Sequence, residues 1–566
     1  MSTQVNVMVG GEAGQGVQSV GFILAKALAL GGFHVFADQD YESRIRGGHN
    51  FYRVRGSDNK VAAIAETLDI LVALNKETID RHTRELSAKG VTVFDQDKVQ
   101  GASLERAIGV PLDRLAMESA GDKMMANTVA LGALLSLVHY DFPIVEQAVK
   151  MQFASDIGER NVRAARAGYD YVTQNYKGDF DLRLKRISSE KRMLLNGAEA
   201  IAIGAIAAGC KFMAAYPMTP ATPIFEYIAG KADEYGVAVV PAEDEISAMN
   251  MTVGAAFAGV RAMTATSGSG FCLMTEGLGL AAITETPIVV VDAQRPGPAV
   301  GLPTRTEQGD LQFMLYAHQG DFPRVLLAPG TVEDCFWLTV KAFNLAEKYQ
   351  VPVIILTDHH MATSYWTAEK FDISKVAINR GLLYSEQAGD YYQRYKITES
   401  GISPRAFPGL SKALVVADSD EHGEDGHMIE DGEIRTRIMD KRLRKLPALS
   451  AEIDPPKVYG REQADTLLIG WGSTYGAIRE AADMLQKEEL EARTLYLSEL
   501  WPFPAASVAS ILDRAKRCYV IENNASGQMA RLIRTETGKK IDTILKYDGR
   551  PFTPEGIVRA VKKGTA

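Results

Sequence analysis

Cysteine is scarce in this chain of 566 residues: only Cys210, Cys272, Cys335 and Cys518 occur, no two of them close in sequence. Without a Cys-x-x-Cys pair, neither a zinc nor an iron–sulfur framework is legible. Isolated thiols of this kind fit a reducing compartment. A run of about 18 apolar residues, enough to cross a bilayer, is also missing, so no membrane span is expected. The opening MSTQVNVMVGGEAGQG lacks a basic segment followed by a hydrophobic stretch, which predicts no secretory leader and a cytoplasmic protein. Positive charge is in deficit as well. Lys plus Arg number 62 against 71 Asp plus Glu, a formal charge of −9, the reverse of the basic footprint expected for nucleic-acid binding. Low-complexity tracts and short-period repeats are absent. What remains is 46% apolar and 23% charged, the make-up of globular domains with large cores. At about one domain per 150 residues, three or four domains are expected.

Periodicity predicts an α/β architecture of three doubly wound domains. In the first, residues 1–185, a short apolar run at 5–9 meets Gly10-Gly11-Glu12-Ala13-Gly14-Gln15-Gly16, and 17–30 carries apolar residues at helical spacing. Strand, glycine turn and helix open such a domain. Residues 69–74 and 91–95 read as buried parallel strands, 124–137 and 142–153 as helices. A polar linker at 175–186 precedes the second domain, 190–367, whose strand candidates at 237–240, 263–266, 287–292, 325–327 and 351–356 alternate with helical stretches. Residues 368–460 read as an irregular crossover with a basic helix at 434–444. A last α/β domain, 461–566, starts with the strand 466–474.

Five constellations can carry chemistry. Gly14 and Gly16 precede a helix, where free backbone N–H groups favour phosphate; the order is not that of a dinucleotide fold, and a tight structural turn is the alternative. Arg44 and Arg46 sit beside Gly47-Gly48-His49, a phosphate-reaching pair or a solvated loop. Tyr216-Pro217-Met218-Thr219-Pro220 holds one hydroxyl on a stiff backbone, either to recognise a small polar substrate or as a plain turn. Glu243-Asp244-Glu245 leads into a helix of small residues, and the acids either cap it or one of them serves as an acid/base group. Thr264-Ala265-Thr266-Ser267-Gly268-Ser269-Gly270 then forms a strand end and glycine turn, a usual ligand position in open α/β sheets.

Taken in order, Tyr216 to Thr222, Glu245 before its helix, Thr266 to Gly270, Gly301 to Leu311, Gly426 to Asp431 and Glu522 to Gln528 resemble the 2-oxoacid:ferredoxin oxidoreductase family. The resemblance is nearest to α subunits acting on 2-oxoglutarate, with a γ-type domain fused at the N-terminus. It implies a γ-type domain, a thiamine-diphosphate pyrimidine-side domain and a transketolase C-terminal-like domain. Glu245 matches the carboxyl group that hydrogen-bonds the aminopyrimidine of thiamine diphosphate, with Glu243 as its nearest rival. Thr219, Arg305 and, less directly, Arg295 match substrate-binding positions. Tyr216, Pro217, Met218, Ser267 and Gly268 fall on the thiamine side of the site.

The resemblance also implies what must come from elsewhere. No Gly-Asp-Gly for Mg²⁺–diphosphate and no cysteine cluster is found, so a β subunit carrying Mg²⁺ and a [4Fe–4S] cluster is expected, in an (αβ)₂ assembly, with no metal held by this chain. The implied reaction joins a 2-oxoacid to coenzyme A, releases CO₂ and reduces ferredoxin, or runs in reverse. Gly14, Gly16, Arg44 and Arg46 are the candidate contacts to coenzyme A phosphates. Pyruvate, branched-chain and aryl oxoacids are the rival substrates, and a non-catalytic coenzyme A- or nucleotide-binding scaffold the rival class. The roles of His359, His360, His422 and His427 stay open, a structural strand-end role being favoured for the first two.

Overall fold

The computed structural model describes residues 3–44, 47–99, 104–190, 192–385, 391–410 and 412–565. The described residues fall into two compact units: 1–196 with 363–370 and 553–566, and 197–362 with 371–552. Among them, no helix is long and apolar enough to cross a membrane.

The first unit is built on an eight-stranded sheet. Strand Gln4–Ala13 is its seam. On one side it pairs in parallel with Leu68–Ala73, which is followed outward by Leu86–Asp95 and Ala107–Val110, all parallel. On the other it pairs antiparallel with Gly47–Ser57, and that strand with His34–Asp40. The antiparallel half is a departure from the doubly wound expectation, and it has a simple cause. Only residues 41–46 join the two strands, whereas a parallel crossover takes a dozen residues or more. The cross-strand pair Asp38–Arg53 is in register, with Arg53 Nε 2.9 Å from Asp38 Oδ1. Tyr365–Ala368 and Met193–Asn196 extend this edge from far along the chain. Helix Val17–Leu30 starts where periodicity places it, after Gly16 in the left-handed region at φ 74°. Helices Ala126–Leu137 and Ser155–Asn175 pack backbone to backbone: a Cβ at Gly132 would collide with the carbonyl of Ala165, and one at Gly168 with that of Val129.

The second unit holds two sheets. The seven-stranded one runs Glu499–Trp501, Val325–Leu327, Pro352–Asp358, Ile288–Gln294, Arg261–Thr266, Cys210–Ala215, Ala238–Pro241. It is parallel apart from the first strand, which is antiparallel to its neighbour. Near-continuous apolar runs such as Ile288-Val289-Val290-Val291 are what a sheet covered on both faces requires, and every residue of that strand is buried. The five-stranded sheet centres on Thr466–Trp471 between Ala492–Leu497 and Arg517–Glu522. The basic helix forms at Gly432–Leu443, exposed along most of its length but buried at its C-terminal end. Lys441 and, just beyond it, Lys445 are buried on Glu285. Burial alone would raise the Glu285 carboxyl, but the two ammonium groups overcome that and hold it well below the usual carboxylate range.

Candidate active site

Strand Ala238–Pro241 delivers three acids to the start of helix Glu245–Phe257, and local geometry gives each a different fate. Asp244 is the cap: its side chain accepts the Ser247 N–H at 2.7 Å, satisfying one of the helix's free donors. Glu243 is exposed. Glu245, the first helical residue, is only 4% exposed. Its Oε1 is fully buried without a hydrogen-bond partner, an arrangement that costs free energy unless a donor reaches it. The floor beneath it is Gly270, in the turn that opens helix Gly268–Ile283. A Cβ at Gly270 would stand 2.5 Å from Glu245 Oε1 and 2.8 Å from its Cγ, and would collide with Thr266 Oγ1. Glycine there keeps a cradle open beside the carboxylate. Met218 closes over the same turn, its Sδ 3.5 Å from Ser269 Oγ. Ser267 Oγ is buried with no partner.

Thr219 and Arg295 meet next to this cradle's elements. Arg295 Nη1 donates to the Thr219 carbonyl at 2.6 Å, while its Nε is buried without a partner. Its guanidinium faces a buried carboxyl pair. Asp292, two residues before the end of strand Ile288–Gln294, is 0% exposed. It faces Asp310, whose carboxyl lies over Gly268 so closely that a Cβ there would be 2.5 Å from Oδ2. Two buried carboxyl groups this close cannot both carry charge without strong repulsion. Burial first, then Asp310, raises Asp292 well above the usual range, and burial raises Asp310 too.

Glu307, on the same loop, is pushed up to about 7 by burial and then by Asp310. A raised carboxyl favours the folded state while protonated in it. Its contribution is complete below the ordinary glutamate value of about 4.3 and is lost as the pH rises through about 7. The denaturant midpoint of the purified chain should therefore fall over that window, and Glu307→Gln should flatten part of the fall. Parallel wild-type and variant curves would contradict this placement of Glu307.

Arg305 sits five residues before Asp310, its stem against Gly549, where a Cβ would be 3.0 Å from Arg305 Cβ. Tyr216 and Pro217 are exposed beside half-buried Met218 and Thr219. In the first unit, Gly14 (φ 97°) and Gly16 help line a cleft of about 630 Å³. Its cations are Lys98, Lys123 and Arg160, which sequence reasoning missed because they lie on three separate elements. Arg44 is exposed and paired with Glu42 at 3.0 Å; Arg46 lies outside the described residues. His49 is buried, its Nε2 2.7 Å from that of His82. His359 starts a short helix at the end of strand Pro352–Asp358, buried, with His360 half-buried beside it. His422 is buried on the Ile283 and Gly423 carbonyls, and His427 is exposed near Asp425. The acid pair was also missed. Its members stand on different elements, Asp292 within strand Ile288–Gln294 and Asp310 ahead of helix Leu311–Tyr316, and nothing in the sequence brings the two together.

Comparisons with known proteins agree along the whole chain. Residues 203–441 match the family described as pyruvate flavodoxin/ferredoxin oxidoreductase, thiamine diphosphate-binding. Residues 6–171 match pyruvate ferredoxin/flavodoxin oxidoreductase, and 464–557 match pyruvate:ferredoxin oxidoreductase core domain II. The α subunit of a 2-oxoacid:ferredoxin oxidoreductase from a Sulfolobus species is 34% identical over 98% of this chain and 97% of its own. The 2-oxoglutarate oxidoreductase subunit KorA of Mycobacterium tuberculosis is 27% identical over 99% and 92%. Among solved structures, the 2-oxoglutarate:ferredoxin oxidoreductase of Magnetococcus marinus, with 2-oxoglutarate, coenzyme A and succinyl-CoA bound, superposes with a TM-score of 0.93 at 34% identity, covering 100% of both chains.

Proposed function

This chain belongs to the 2-oxoacid:ferredoxin oxidoreductase family as an α-type subunit, and from that premise we propose that its 2-oxoacid is 2-oxoglutarate. Succinyl-CoA, CO₂ and reduced ferredoxin are then the products, or the substrates of the reductive reverse. The observation that carries the site reading is Glu245: a buried carboxylate oxygen with no partner, above a glycine cradle. These residues fit the pyrimidine side of thiamine diphosphate: Glu245 would accept or donate the hydrogen bond to a ring nitrogen, and Met218, Ser267 and Gly268 would help hold the ring. When bound, that cofactor supplies the electron sink for cleaving the bond to the departing carboxyl carbon.

Glu245 holds and returns a proton at its Oε1, in a site dry enough to strengthen the hydrogen bond. Thr219 and Arg295 form one wall, and the forks of Arg295 and Arg305 suit the two carboxylates of a dicarboxylic oxoacid. The cleft at Gly14 and Gly16 is the candidate receptor for the phosphates of coenzyme A, through its glycine turn and Lys123; Lys98 and Arg160 in the same lining are paired with Asp95, Asp113 and Asp122. A β-type subunit with Mg²⁺–diphosphate and a [4Fe–4S] cluster completes the enzyme, as (αβ)₂. The bound ligands of the Magnetococcus marinus structure support this substrate; the generic 2-oxoacid name of the Sulfolobus relative does not discriminate.

The test is a substrate panel on the reconstituted complex, with coenzyme A and a viologen acceptor. The kcat/KM for 2-oxoglutarate should exceed that for pyruvate at least tenfold. Arg305→Ala should raise KM for 2-oxoglutarate about 10- to 100-fold, the scale of a lost charged hydrogen bond, and affect pyruvate far less. Preference for pyruvate or a branched-chain oxoacid would overturn the substrate; no turnover of any oxoacid would favour a scaffold.

A further inference from the structure

The loop that carries Arg305, Glu307 and Asp310 alternates: Thr306 and Gln308 are buried, whereas their odd-numbered neighbours are half-buried. Each inward residue is tied down. Thr306 N donates to the Gly549 carbonyl at 3.1 Å, and its Oγ1 donates to Asp358 Oδ1 at 3.1 Å. Gln308 is tied more completely. It is 0% exposed, and all four of its polar groups are used on the ends of two strands of the five-stranded sheet. Nε2 donates to the Trp471 carbonyl at 2.8 Å, and Oε1 accepts Asn523 N–H at 3.0 Å. Its backbone N–H donates to the Asn523 carbonyl at 2.6 Å, and its own carbonyl accepts Asn524 Nδ2 at 3.1 Å. Gly472, at φ 52°, makes room for this amide: a Cβ there would be 3.0 Å from Gln308 Nε2. The segment Glu522-Asn523-Asn524 thus acts as a socket, built by a sheet that contributes none of the site residues named above.

We infer that Gln308 is a positioning residue for oxoacid binding, locking the loop so that Arg305 and Asp310 are presented at fixed geometry. The argument has two steps. A planar amide with both ends bonded, plus two backbone bonds, leaves the loop no alternative register at residue 308. With the inward residues fixed, Arg305 and Glu307 are fixed by alternation; Asp310, two residues on from Gln308, is held over Gly268, in the turn that also forms the Glu245 cradle, with its own N–H on Gln294 Oε1 at 3.0 Å. The inference rests on the reading of Arg305 as a substrate receptor.

Gln308→Ala in the reconstituted complex tests it, with active sites counted by bound thiamine diphosphate. The expected result is a 5- to 20-fold rise in KM for the 2-oxoacid, with kcat per active site changed less than threefold and KM for coenzyme A unchanged. A purely architectural glutamine would lower the fraction of active sites and leave KM alone, and that outcome overturns the inference. Gln308→Met keeps the side-chain length and both backbone bonds and gives up the two amide bonds without burying a charge. It should show the same split at smaller magnitude, and it stands in should the alanine variant not fold. Both variants are assayed with whichever oxoacid the wild type prefers, so a failure of the 2-oxoglutarate reading shows in the wild-type panel. A failure of the Arg305 reading shows as an unchanged KM in Arg305→Ala.

Discussion

Glu245→Gln should lower turnover of the reconstituted complex by about 10²- to 10⁴-fold, the range for losing a general acid/base group, with the fold intact. The substitution is isosteric, so no cavity opens in the small-residue packing around helix Glu245–Phe257. The helix keeps its cap, because Asp244 and not Glu245 accepts the Ser247 N–H. What is lost is the capacity of a buried oxygen to accept and release a proton. Glu243→Gln is the matched control: that side chain is exposed and should leave kcat within about twofold. Melting temperature and circular dichroism check the fold. Near-normal turnover in Glu245→Gln would remove the carboxylate from the chemistry and leave it as a packing residue.

The second large effect is expected from Gly270→Ala. On helix propensity alone the change should help, since alanine is favoured over glycine by about 1 kcal/mol in a helix. The backbone raises no objection either, for Gly270 is absent from the positive-φ residues. The objection is steric and aimed at the site: the new methyl would lie 2.5 Å from Glu245 Oε1, well inside van der Waals contact. The carboxylate must move, and a displacement approaching 1 Å at a reacting group costs on the order of 100-fold. Activity should fall at least tenfold, with a matching loss of thiamine-diphosphate affinity. Gly432→Ala, at the start of helix Gly432–Leu443 with nothing within 4 Å of its Cβ, should leave activity unchanged. Full activity in Gly270→Ala would mean the cradle is not where the cofactor sits.

Elements with strong periodicity were legible from sequence, and the reasons are local. Residues 17–30 carry an apolar stripe behind a glycine turn and form helix Val17–Leu30; the apolar run at 325–327 forms strand Val325–Leu327. What was not legible depended on distant partners. His34–Asp40 ends in polar residues and carries no strand signal of its own; its place is set by the hairpin, where Arg53 pairs with Asp38. Nothing within Tyr365–Ala368 announces that it joins a sheet begun at Gln4. The basic helix read at 434–444 gave no sign that Lys441, or Lys445 just beyond it, is buried, because their partner, Glu285, is remote in sequence. The site divides the same way. Glu245 stands out by motif and helix position, whereas the Asp292–Asp310 contact and the Gln308 socket exist only after the strands are assembled. Arg44, singled out for its charge, is spent at least partly on Glu42.

The most direct measurement follows the proton itself. In the reconstituted complex with thiamine diphosphate bound, exchange of the thiazolium C2 proton with deuterium can be timed by acid quench and proton NMR, without any oxoacid present. Wild type should exchange at least 100 times faster than Glu245→Gln at equal cofactor occupancy, with Glu243→Gln indistinguishable from wild type. Equal exchange rates in wild type and Glu245→Gln would show that the buried carboxylate plays no part in waking the cofactor.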